Sequence, residues 1–529
     1  MAQVRVGGKV RGRMTGTIAR AGRVVLSLAV LAASGCTATN GVLQNITTPF
    51  TGGATTGSQN GDPGFVKGFL GAVVADEPIA ALAGREVLSA GGTAADAAVA
   101  VGFALAVSLP SRAGLGGGGA CLVDDPRRDG PNKGVPEAVL FLPTAPANPG
   151  AADRPAAVPM LARGLYLLHS RYGNRRFESL IGPALAMARD GIPVSRTLAR
   201  DLSVVAGPLS ADPGARAVFF RNGAPLSEGQ RFIQPGLAAT LVQMQRAGVG
   251  DLYQGYLAHI LVDEAQMAGA GLTVGDLYGA LGRFAPPLDA TDGAATVAFL
   301  PPPADGGLAA AAAFAALRQD PNAVAAAGVR GLAAAARWRQ GGVSPQAVLA
   351  SAATLPPANL PALPASASFG AMDRKGNAVV CAVTMNNLFG TGRVAPGTGI
   401  LLAASPATIP PPLLTAALAY APRRQAFRAL VGASGQEGAP LGAAVAMRNA
   451  LAGRNPMPAP VPAPGRANVI ACAGLLPGDP ASCGWAVDPR GDGLAVGQPA
   501  GSAPAGASEA PSNPQNWNYP PAPGVPTYR

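Results

Sequence analysis

His169 and His259 are the only histidines among the 529 residues of this chain. A metal site built from histidine ligands needs more of them than the sequence supplies, and a Ser-His-Asp triad would have to use one of these two. Both lie in stretches predicted to be helical, where we expect surface or helix-capping roles. Hydrolytic chemistry in this chain therefore needs a base other than histidine, and we expect no metal ion and no cofactor.

Cys36 is a candidate for covalent modification because it ends a short targeting signal. Residues 1–23 carry six arginines and lysines and no acid. The apolar run that follows, residues 24–33, has the length of a signal-peptide core and is too short to span a bilayer. Small residues then lead to Cys36 in a pattern that resembles a bacterial lipobox. We expect a lipoprotein signal peptide over residues 1–35 and a lipid at Cys36; an ordinary signal peptide that ends near a cysteine is the alternative.

The charge balance follows from this signal. The chain has 40 Lys and Arg against 29 Asp and Glu, a net charge of +11, and removal of residues 1–35 with their six positive charges leaves +5. This residual charge, with no basic run interleaved with aromatic residues, does not favour a nucleic-acid partner. We expect a protein of the bacterial cell envelope. Its lipid would hold it to a membrane, facing the periplasm or the cell surface.

The remaining sequence is organised as a globular body between two irregular segments. Residues 36–67 are rich in Thr, Gly, Asn and Ser and predict a flexible tether, and the Pro/Gly-rich residues 498–529 predict a disordered tail. Between them the periodicity predicts a helix pair over residues 76–109 and a strand over Ala120–Val123. Helices dominate residues 159–260, including one over Glu178–Arg189. The order of helices and strands indicates an α+β fold.

The catalytic region is preceded by a connector and begins with two strands. Residues 345–367 are rich in Pro, Ala and Ser and predict an irregular connector. The segments Phe369–Met372 and Ala378–Thr384 then predict two strands joined by a turn. We expect the chemistry of the chain to lie near the start of this hairpin.

Several glycine-rich and polar motifs resemble one known family in the order in which they occur. They are residues 76–78 with 91–100, 114–119, 222–229, 234–241, 252–255, 302–307, and 488–490 with Gly497. Together they resemble the gamma-glutamyltransferase (gamma-glutamyltranspeptidase) family of N-terminal-nucleophile hydrolases over residues 68–498. The resemblance implies a four-layer αββα sandwich, with residues 68–365 as a large-subunit-like region and 366–497 as a small-subunit-like region.

The family resemblance also implies a nucleophile. Its members cut themselves before the threonine of a T-T-H-x-S-x-x-D motif, and residues 366–373 occupy that motif here. Ser366 takes the nucleophile position, so cleavage would fall between Ala365 and Ser366, and the new α-amine would serve as the base. By the same resemblance, Thr384 would hydrogen-bond the nucleophile hydroxyl, and Asn386 would bind the polar end of the substrate.

The resemblance is incomplete in the substrate-binding residues. The family arginine that holds the glutamyl carboxylate is replaced by Leu142. The aspartate that holds the glutamyl amine should fall near Thr408, but residues 400–421 contain no acid. The paired serines correspond to Leu414 and Thr415, of which Thr415 keeps a hydroxyl for substrate binding. The oxyanion-hole glycines correspond to Gly435 and Gln436, and a backbone N–H can serve with either side chain; Gly435 is accordingly a candidate catalytic residue, and Gln436 a candidate substrate-binding residue.

The four cysteines after Cys36 are Cys121, Cys381, Cys472 and Cys483. Cys472 and Cys483 are close enough in sequence to pair, and their spacing fits no zinc motif. Cys121 and Cys381 lie on predicted core strands, where a disulfide and a pair of buried thiols both remain open. We expect the thiols, because buried cysteine behaves as a small hydrophobic residue.

The sequence leaves three functions open. One is a gamma-glutamyl peptide (glutathione) hydrolase or transpeptidase with an N-terminal Ser nucleophile. The second is an amidase for a less charged acyl group, because Leu142 and Leu414 would line an apolar pocket. The third is a catalytically inactive, surface-anchored homologue with a structural or binding role. The partner would be a small-molecule or short-peptide amide for either enzyme.

Overall fold

The computed structural model describes residues 68–497, except 128, 131–132, 149, 151 and 454–460. The predicted signal peptide (1–35), Cys36, the tether (36–67) and the tail (498–529) lie outside the described residues.

The strands of the described chain are named in order. They are β1 (Gly71–Ala75), β2 (Gly118–Asp124), β3 (Glu137–Phe141), β4 (Ile192–Pro193), β5 (Phe220–Arg221), β6 (Ala224–Pro225), β7 (Arg231–Phe232), β8 (Arg283–Ala285), β9 (Leu288–Asp292), β10 (Ala295–Phe299), β11 (Ser366–Asp373), β12 (Ala378–Thr384), β13 (Val394–Ala395), β14 (Ile400–Leu401), β15 (Thr415–Ala421), β16 (Ala426–Ser434), β17 (Arg466–Leu476), β18 (Cys483–Val487) and β19 (Leu494–Gly497).

The α-helices are named in the same way. They are α1 (Pro78–Ser89), α2 (Ala94–Ser108), α3 (Leu161–Tyr172), α4 (Phe177–Leu180), α5 (Gly182–Asp190), α6 (Arg196–Ser210), α7 (Pro213–Phe219), α8 (Pro235–Ala247), α9 (Asp251–Gln254), α10 (Tyr256–Met267), α11 (Val274–Gly279), α12 (Gly306–Gln319), α13 (Val324–Arg339), α14 (Pro345–Ser351) and α15 (Ala439–Leu451). Short 3₁₀ turns occur at Gln436–Gly438 and Pro480–Ser482.

Two antiparallel sheets form the centre of the described structure. The first has the strand order β19-β1-β11-β12-β2-β3-β8, and the second has the order β18-β17-β16-β15-β10-β9. Each sheet contains strands from both sides of the Ala365–Ser366 bond, since β1 pairs with β11 and β10 pairs with β15. The two predicted regions are therefore interleaved parts of one architecture.

Three apolar layers explain why most residues of the central strands are apolar. One layer joins the first sheet to α1–α5 and the helices that follow, a second lies between the sheets, and a third joins the second sheet to α12, α13 and α15. Every residue of β1, β2, β11, β12 and β15 is buried. A strand that is covered on both faces has no solvent side on which polar residues would alternate. The predicted α+β, four-layer αββα fold is confirmed.

Local sequence signals account for the helix boundaries near the site. The side chain of Glu77 caps α1, with Pro78 in its first turn, and Thr93 and Asp96 form a reciprocal capping box on α2. Two details of the sequence prediction were wrong. The helix predicted over Glu178–Arg189 is split into α4 and α5, and the predicted connector contains α14, which Ser344 caps.

The prediction that Cys121 and Cys381 are free thiols was wrong. They are directly opposite each other on β2 and β12, with Cα atoms 4.0 Å apart, and form a disulfide. Cys472 and Cys483 form a second disulfide between β17 and β18, as their spacing indicated. The sequence could not pair the first two because 260 residues separate them. Only the strand register brings them together.

Across the described residues, no helix is both long enough and apolar enough to cross a membrane.

Candidate functional site

Ser366 is the first residue of β11 and lies directly opposite Thr384, the last residue of β12. Only 2% of the surface of Ser366 is exposed, and Thr384 is buried as well. The next strand, β2, places Gly118 opposite Thr384. The strand register therefore places Ser366, the predicted nucleophile, beside Thr384, its predicted hydrogen-bond partner, at the ends of two neighbouring central strands.

The hydroxyl of Thr384 contacts the bond that the sequence predicts to be cut. Its Oγ1 donates a hydrogen bond of 2.9 Å to the carbonyl oxygen of Ala365, the residue before Ser366. The same oxygen accepts a hydrogen bond of 2.9 Å from the backbone N–H of Asn386. Because a hydroxyl has only one proton to donate, the Asn386 contact leaves that proton directed at the carbonyl. A bond from Thr384 to the Ser366 hydroxyl stays a prediction for the cleaved protein.

The glycine-rich segment at residues 114–119 gives the backbone around Thr384 its close packing. A β-carbon on Gly117 would lie 2.2 Å from the carbonyl oxygen of Thr384, closer than any side chain could be accommodated. Met385 contributes to the same contact, because its sulfur lies 3.0 Å from the backbone nitrogen of Gly114. The glycine run therefore supports the end of β12 on which Thr384 sits.

Asn386 is buried and takes a left-handed backbone conformation, with φ of 55°. Its side-chain Nδ2 donates a hydrogen bond of 3.1 Å to the carbonyl oxygen of Ala404. In the intact chain, this side chain fixes the backbone N–H that orients Thr384. Binding of substrate by Asn386 stays a prediction.

Gly435 and Gln436 follow β16 at the start of a short 3₁₀ turn. Both have positive φ, 102° for Gly435 and 54° for Gln436. A β-carbon on Gly435 would lie 2.0 Å from the carbonyl oxygen of Pro464, so only glycine fits this position. Successive residues with positive φ and a following helical turn can direct backbone N–H groups to one side, as an oxyanion hole needs. That role for Gly435 and Gln436 stays a prediction.

The residues that correspond to the family's charged pocket are apolar or engaged within the chain. Leu142 and Leu414 both pack in the layer between the sheets. The Oγ1 of Thr415 donates to the carbonyl oxygen of Leu413 at 2.9 Å. Thr408 is exposed, and its hydroxyl donates to the carbonyl oxygen of Ser405. Substrate binding by Thr415 stays a prediction.

A buried polar cluster that the sequence reasoning missed lies two residues beyond Ser366. The carboxylate of Asp76 accepts hydrogen bonds from the backbone N–H of Ser368 at 2.8 Å and from Nδ2 of Asn468 at 2.7 Å. The same Nδ2 lies 3.0 Å from the Ser368 hydroxyl. Because Asn468 belongs to β17 of the second sheet, the cluster links both sheets beside the nucleophile strand. Nothing in the sequence around Asn468 signalled this contact.

At the start of α12, an ion pair joins Asp305 to Arg339, with 2.6 Å between Oδ2 and Nε. Burial raises the pKa of Asp305, and the neighbouring guanidinium opposes that shift. In the part of the chain that the structure describes, no three His, Cys, Asp or Glu side chains are arranged to hold a metal ion.

Comparison with known proteins agrees with the resemblance seen in the sequence. Residues 80–338 match the family model described as Gamma-glutamyltranspeptidase. The region over residues 80–338 therefore belongs to the gamma-glutamyltranspeptidase family. It is 31% identical over 263 residues to a glutathione hydrolase proenzyme of Escherichia coli, in a match that covers 46% of this chain and 44% of that protein.

Two further relatives carry acylase names. The chain is 32% identical over 227 residues to the acylase ACY 1 proenzyme of a Pseudomonas species, covering 40% of this chain and 41% of the relative. Its fold is similar to that of the cephalosporin acylase from Bacillus halodurans, with a TM-score of 0.68, 20% identity, and coverage of 85% of this chain and 98% of that one. The chain spans less than half the length of the curated relatives that it matches. At 20% identity, the solved structure shows the fold.

Proposed function

We propose that this protein is an amide hydrolase or acyltransferase of the gamma-glutamyl hydrolase and transpeptidase class, which frees Ser366 as its nucleophile by cutting its own chain. One observation carries the proposal: the Thr384 hydroxyl donates to the carbonyl oxygen of Ala365 at 2.9 Å. This is the oxygen on which negative charge would develop during attack by Ser366. A donor already directed at that oxygen would stabilise the charge.

Self-cleavage would proceed by attack of the Ser366 hydroxyl oxygen on the carbonyl carbon of Ala365. The carbon–nitrogen bond breaks as the carbon–oxygen bond forms, and the hydroxyl proton passes to the departing nitrogen. Water then hydrolyses the ester, which leaves a carboxylate on Ala365 and a free α-amine on Ser366. An α-amine with an ordinary pKa of about 7.7–8.0 is a suitable base near neutral pH. No histidine is needed.

Turnover would repeat the same steps on an external amide. The Ser366 hydroxyl would form an ester with the acyl group and release the amine, and water or a second amine would then take the acyl group. The backbone N–H groups of Gly435 and Gln436 are the proposed donors to the substrate oxyanion. Relatives named glutathione hydrolase support a gamma-glutamyl amide as the substrate. The apolar Leu142 and Leu414 favour a less charged acyl group.

The second candidate function is an anchored homologue without catalysis. It is favoured by the Thr415 hydroxyl, which is engaged with Leu413, and by the two leucines at positions that bind charge in the family. A chain that does not cut itself would support this candidate.

We propose that the protein is held to a membrane of the cell envelope by a lipid at Cys36. The pattern of basic, apolar and small residues before Cys36 supports this. Replacement of Cys36 by Ala should move the protein from the membrane fraction to the soluble fraction. Continued membrane binding of the variant would contradict the lipid anchor.

The experiment that tests the enzymatic proposal compares three variants with the wild type on a panel of acyl p-nitroanilides. Ser366→Ala should lose self-cleavage and all anilide hydrolysis, whereas Ser366→Thr should keep both. Ser351→Ala, at an exposed serine of α14, is the matched control and should behave as the wild type. Hydrolysis by Ser366→Ala at the wild-type rate would overturn the proposal.

A further inference from the structure

The segment that precedes Ser366 is anchored in an apolar pocket of its own. Leu363 is buried there, and Leu360 packs at its edge. The other members of this Leu363 pocket come from α12, α13 and the loop before β15: Ala309, Leu332, Ala335 and Leu413. The pocket is separate from the three apolar layers of the sandwich.

The pocket lies on the acyl side of the bond that would be cut. Leu363 is two residues before Ala365, and Pro364 between them is buried. A residue that precedes proline favours an extended backbone, so the side chain of Leu363 lies about 7 Å along the chain from Ala365. The Thr384 hydroxyl holds the other end of this segment through the carbonyl of Ala365. Residues 363–365 thus show the path by which an acyl group, with its carbonyl in the position of the Ala365 carbonyl, would reach the Leu363 pocket.

The pocket wall is supported independently of Leu363. Arg339 pairs with Asp305 and also donates from Nη2 to the carbonyl oxygen of Pro411 at 2.8 Å. A β-carbon on Gly306 would lie 2.4 Å from the carbonyl carbon of Leu413, so the first turn of α12 packs directly on the loop. These contacts hold Leu413 in place and do not involve residues 360–365.

We infer that the Leu363 pocket becomes the acyl-binding subsite of the cleaved enzyme, and that it takes an uncharged, aliphatic acyl group. The inference rests on the proposed function, because it needs self-cleavage to free the segment from Ser366. The substrate class is an amide whose acyl chain carries an aliphatic group about 7 Å from the scissile carbonyl. A hexanoyl amide has this shape.

A gamma-glutamyl group has the wrong charge for this pocket. Its ammonium and carboxylate groups lie three carbon atoms beyond the scissile carbonyl and would enter a space lined by leucine and alanine. Moving charges from water into such surroundings is costly unless they are paired. Arg339, the cation on the same stretch of α13, is already neutralised by Asp305. The structure therefore gives the glutamyl charges no unpaired partner in this pocket.

The test uses the full-length protein after incubation, with cleavage measured by mass spectrometry before any assay. Hexanoyl, acetyl and gamma-glutamyl p-nitroanilides are then compared by kcat/KM. We expect hexanoyl to exceed acetyl by at least about tenfold, because it buries four more methylenes, and to exceed gamma-glutamyl by at least about tenfold, because the pocket leaves its charges unpaired. Cleaved protein that prefers the gamma-glutamyl compound, or that does not discriminate, overturns the inference and leaves the proposed function standing. A chain that stays intact overturns both.

Two variants locate the preference in the pocket. Leu332→Ala shortens a half-buried pocket residue and should lower kcat/KM for hexanoyl anilide about tenfold, with little change for acetyl anilide. Leu349→Ala, at a half-buried leucine of α14 outside the pocket, is the matched control and should keep the wild-type ratio. Equal ratios in the two variants would overturn the assignment.

One further measurement uses only the wild-type protein, so misfolding of a variant cannot affect its result. The peptide acetyl-Leu-Pro-Ala has the sequence that leaves the pocket on cleavage and should inhibit hexanoyl anilide hydrolysis competitively. Acetyl-Asp-Pro-Ala should inhibit at least about tenfold less, because it places a charge in the pocket. Equal inhibition by the two peptides would contradict an apolar acyl subsite.

Discussion

The hydroxyl of Thr384 is the side-chain group that most directly connects this structure to catalysis. It accepts from the backbone of Asn386 and donates to the carbonyl of Ala365, so both of its hydrogen-bonding roles are defined. The neighbouring cluster of Asp76, Ser368 and Asn468 fixes the strand that carries Ser366. These side chains together hold the Ala365 carbonyl in place next to the Ser366 hydroxyl.

Replacement of Thr384 tests this arrangement. Thr384→Val keeps the shape of the side chain and removes the donor, and we expect self-cleavage to slow by about 100-fold, as for loss of an oxyanion donor. Thr384→Ser keeps the donor and should cut within about threefold of the wild-type rate. The rates are measured by gel densitometry after synthesis in a cell-free system. Equal rates for Val and Ser would show that the Thr384 hydroxyl does not assist cleavage.

Asp124 is a buried carboxyl at the end of β2, and neither of its oxygens has a hydrogen-bond partner in the described structure. Burial, with a smaller contribution from the charge of Asp125, raises its pKa from 3.8 to about 8. Between these pH values the folded state keeps a proton that the unfolded state releases. The free energy of unfolding therefore falls as pH rises from about 4 to 8. The contribution of the protonated Asp124 carboxyl is fully present only below about pH 4.

Asp124→Asn should remove this pH dependence, because the amide does not ionise. We expect the variant to exceed the wild type in free energy of unfolding by about 5 kcal/mol at pH 8, and to match it closely at pH 4. Urea denaturation at pH 4, 6 and 8 measures the difference. Asp263→Asn, at an exposed position of α10, is the control and should keep the wild-type slope. An unchanged slope in Asp124→Asn would contradict the assignment.

The junction of α2 with α3 depends on an ion pair that the sequence did not reveal. The Nε2 of His169 lies 3.4 Å from Asp96, which also caps α2 and accepts the backbone N–H groups of Asn174 and Arg175. Burial lowers the pKa of His169, but its hydrogen bonds with Asp96 and with the carbonyl of Arg175 outweigh that effect and raise the pKa overall. The stabilisation by the protonated ring is therefore complete below about pH 6.5 and is lost as pH rises through the higher pKa of the folded state.

His169→Gln should remove the pH-dependent stabilisation of the junction between α2 and α3. We expect the variant to lose about 1 kcal/mol of stability at pH 5.5 and less at pH 9, where the wild-type ring is neutral. Thermal unfolding at the two pH values provides the measurement. A larger loss at pH 9 than at pH 5.5 would contradict the pairing.

The elements show what could be predicted from the sequence. Apolar periodicity is a local signal that predicted α1 and α2, and two short segments joined by a turn predicted the β11–β12 hairpin. The pairing of Cys121 with Cys381 and the bond from Asn468 to Asp76 depend on strand register across hundreds of residues, so no local pattern could predict them. The position of Ser366 opposite Thr384 is intermediate, because the hairpin turn between their strands fixes it.

At the scale of the whole molecule, the first disulfide changes how cleavage would appear. Cys121 lies before the Ala365–Ser366 bond and Cys381 lies after it, so their disulfide would join the two pieces covalently. The sheets would hold the pieces together as well, because strands from both sides of the bond interleave. Self-cleavage would therefore leave the fold intact.

This arrangement predicts a dependence on reductant. The cleaved protein should migrate as one species on a denaturing gel without reductant and as two species with it. Cys381→Ser should give two species under both conditions, whereas Cys472→Ser, within the second disulfide, should behave as the wild type. Separation of the wild-type pieces without reductant would show that the Cys121–Cys381 bond is absent.

If Ser366 cuts the chain at its own amino side, the mass of the purified protein under reducing, denaturing conditions will show the cut. We predict two fragments in place of the intact chain, with the smaller one beginning Ser-Ala-Ser-Phe-Gly. Ser366→Ala should give a single chain. A wild-type protein that remains one intact chain after prolonged incubation would contradict the account and leave an anchored homologue without catalysis.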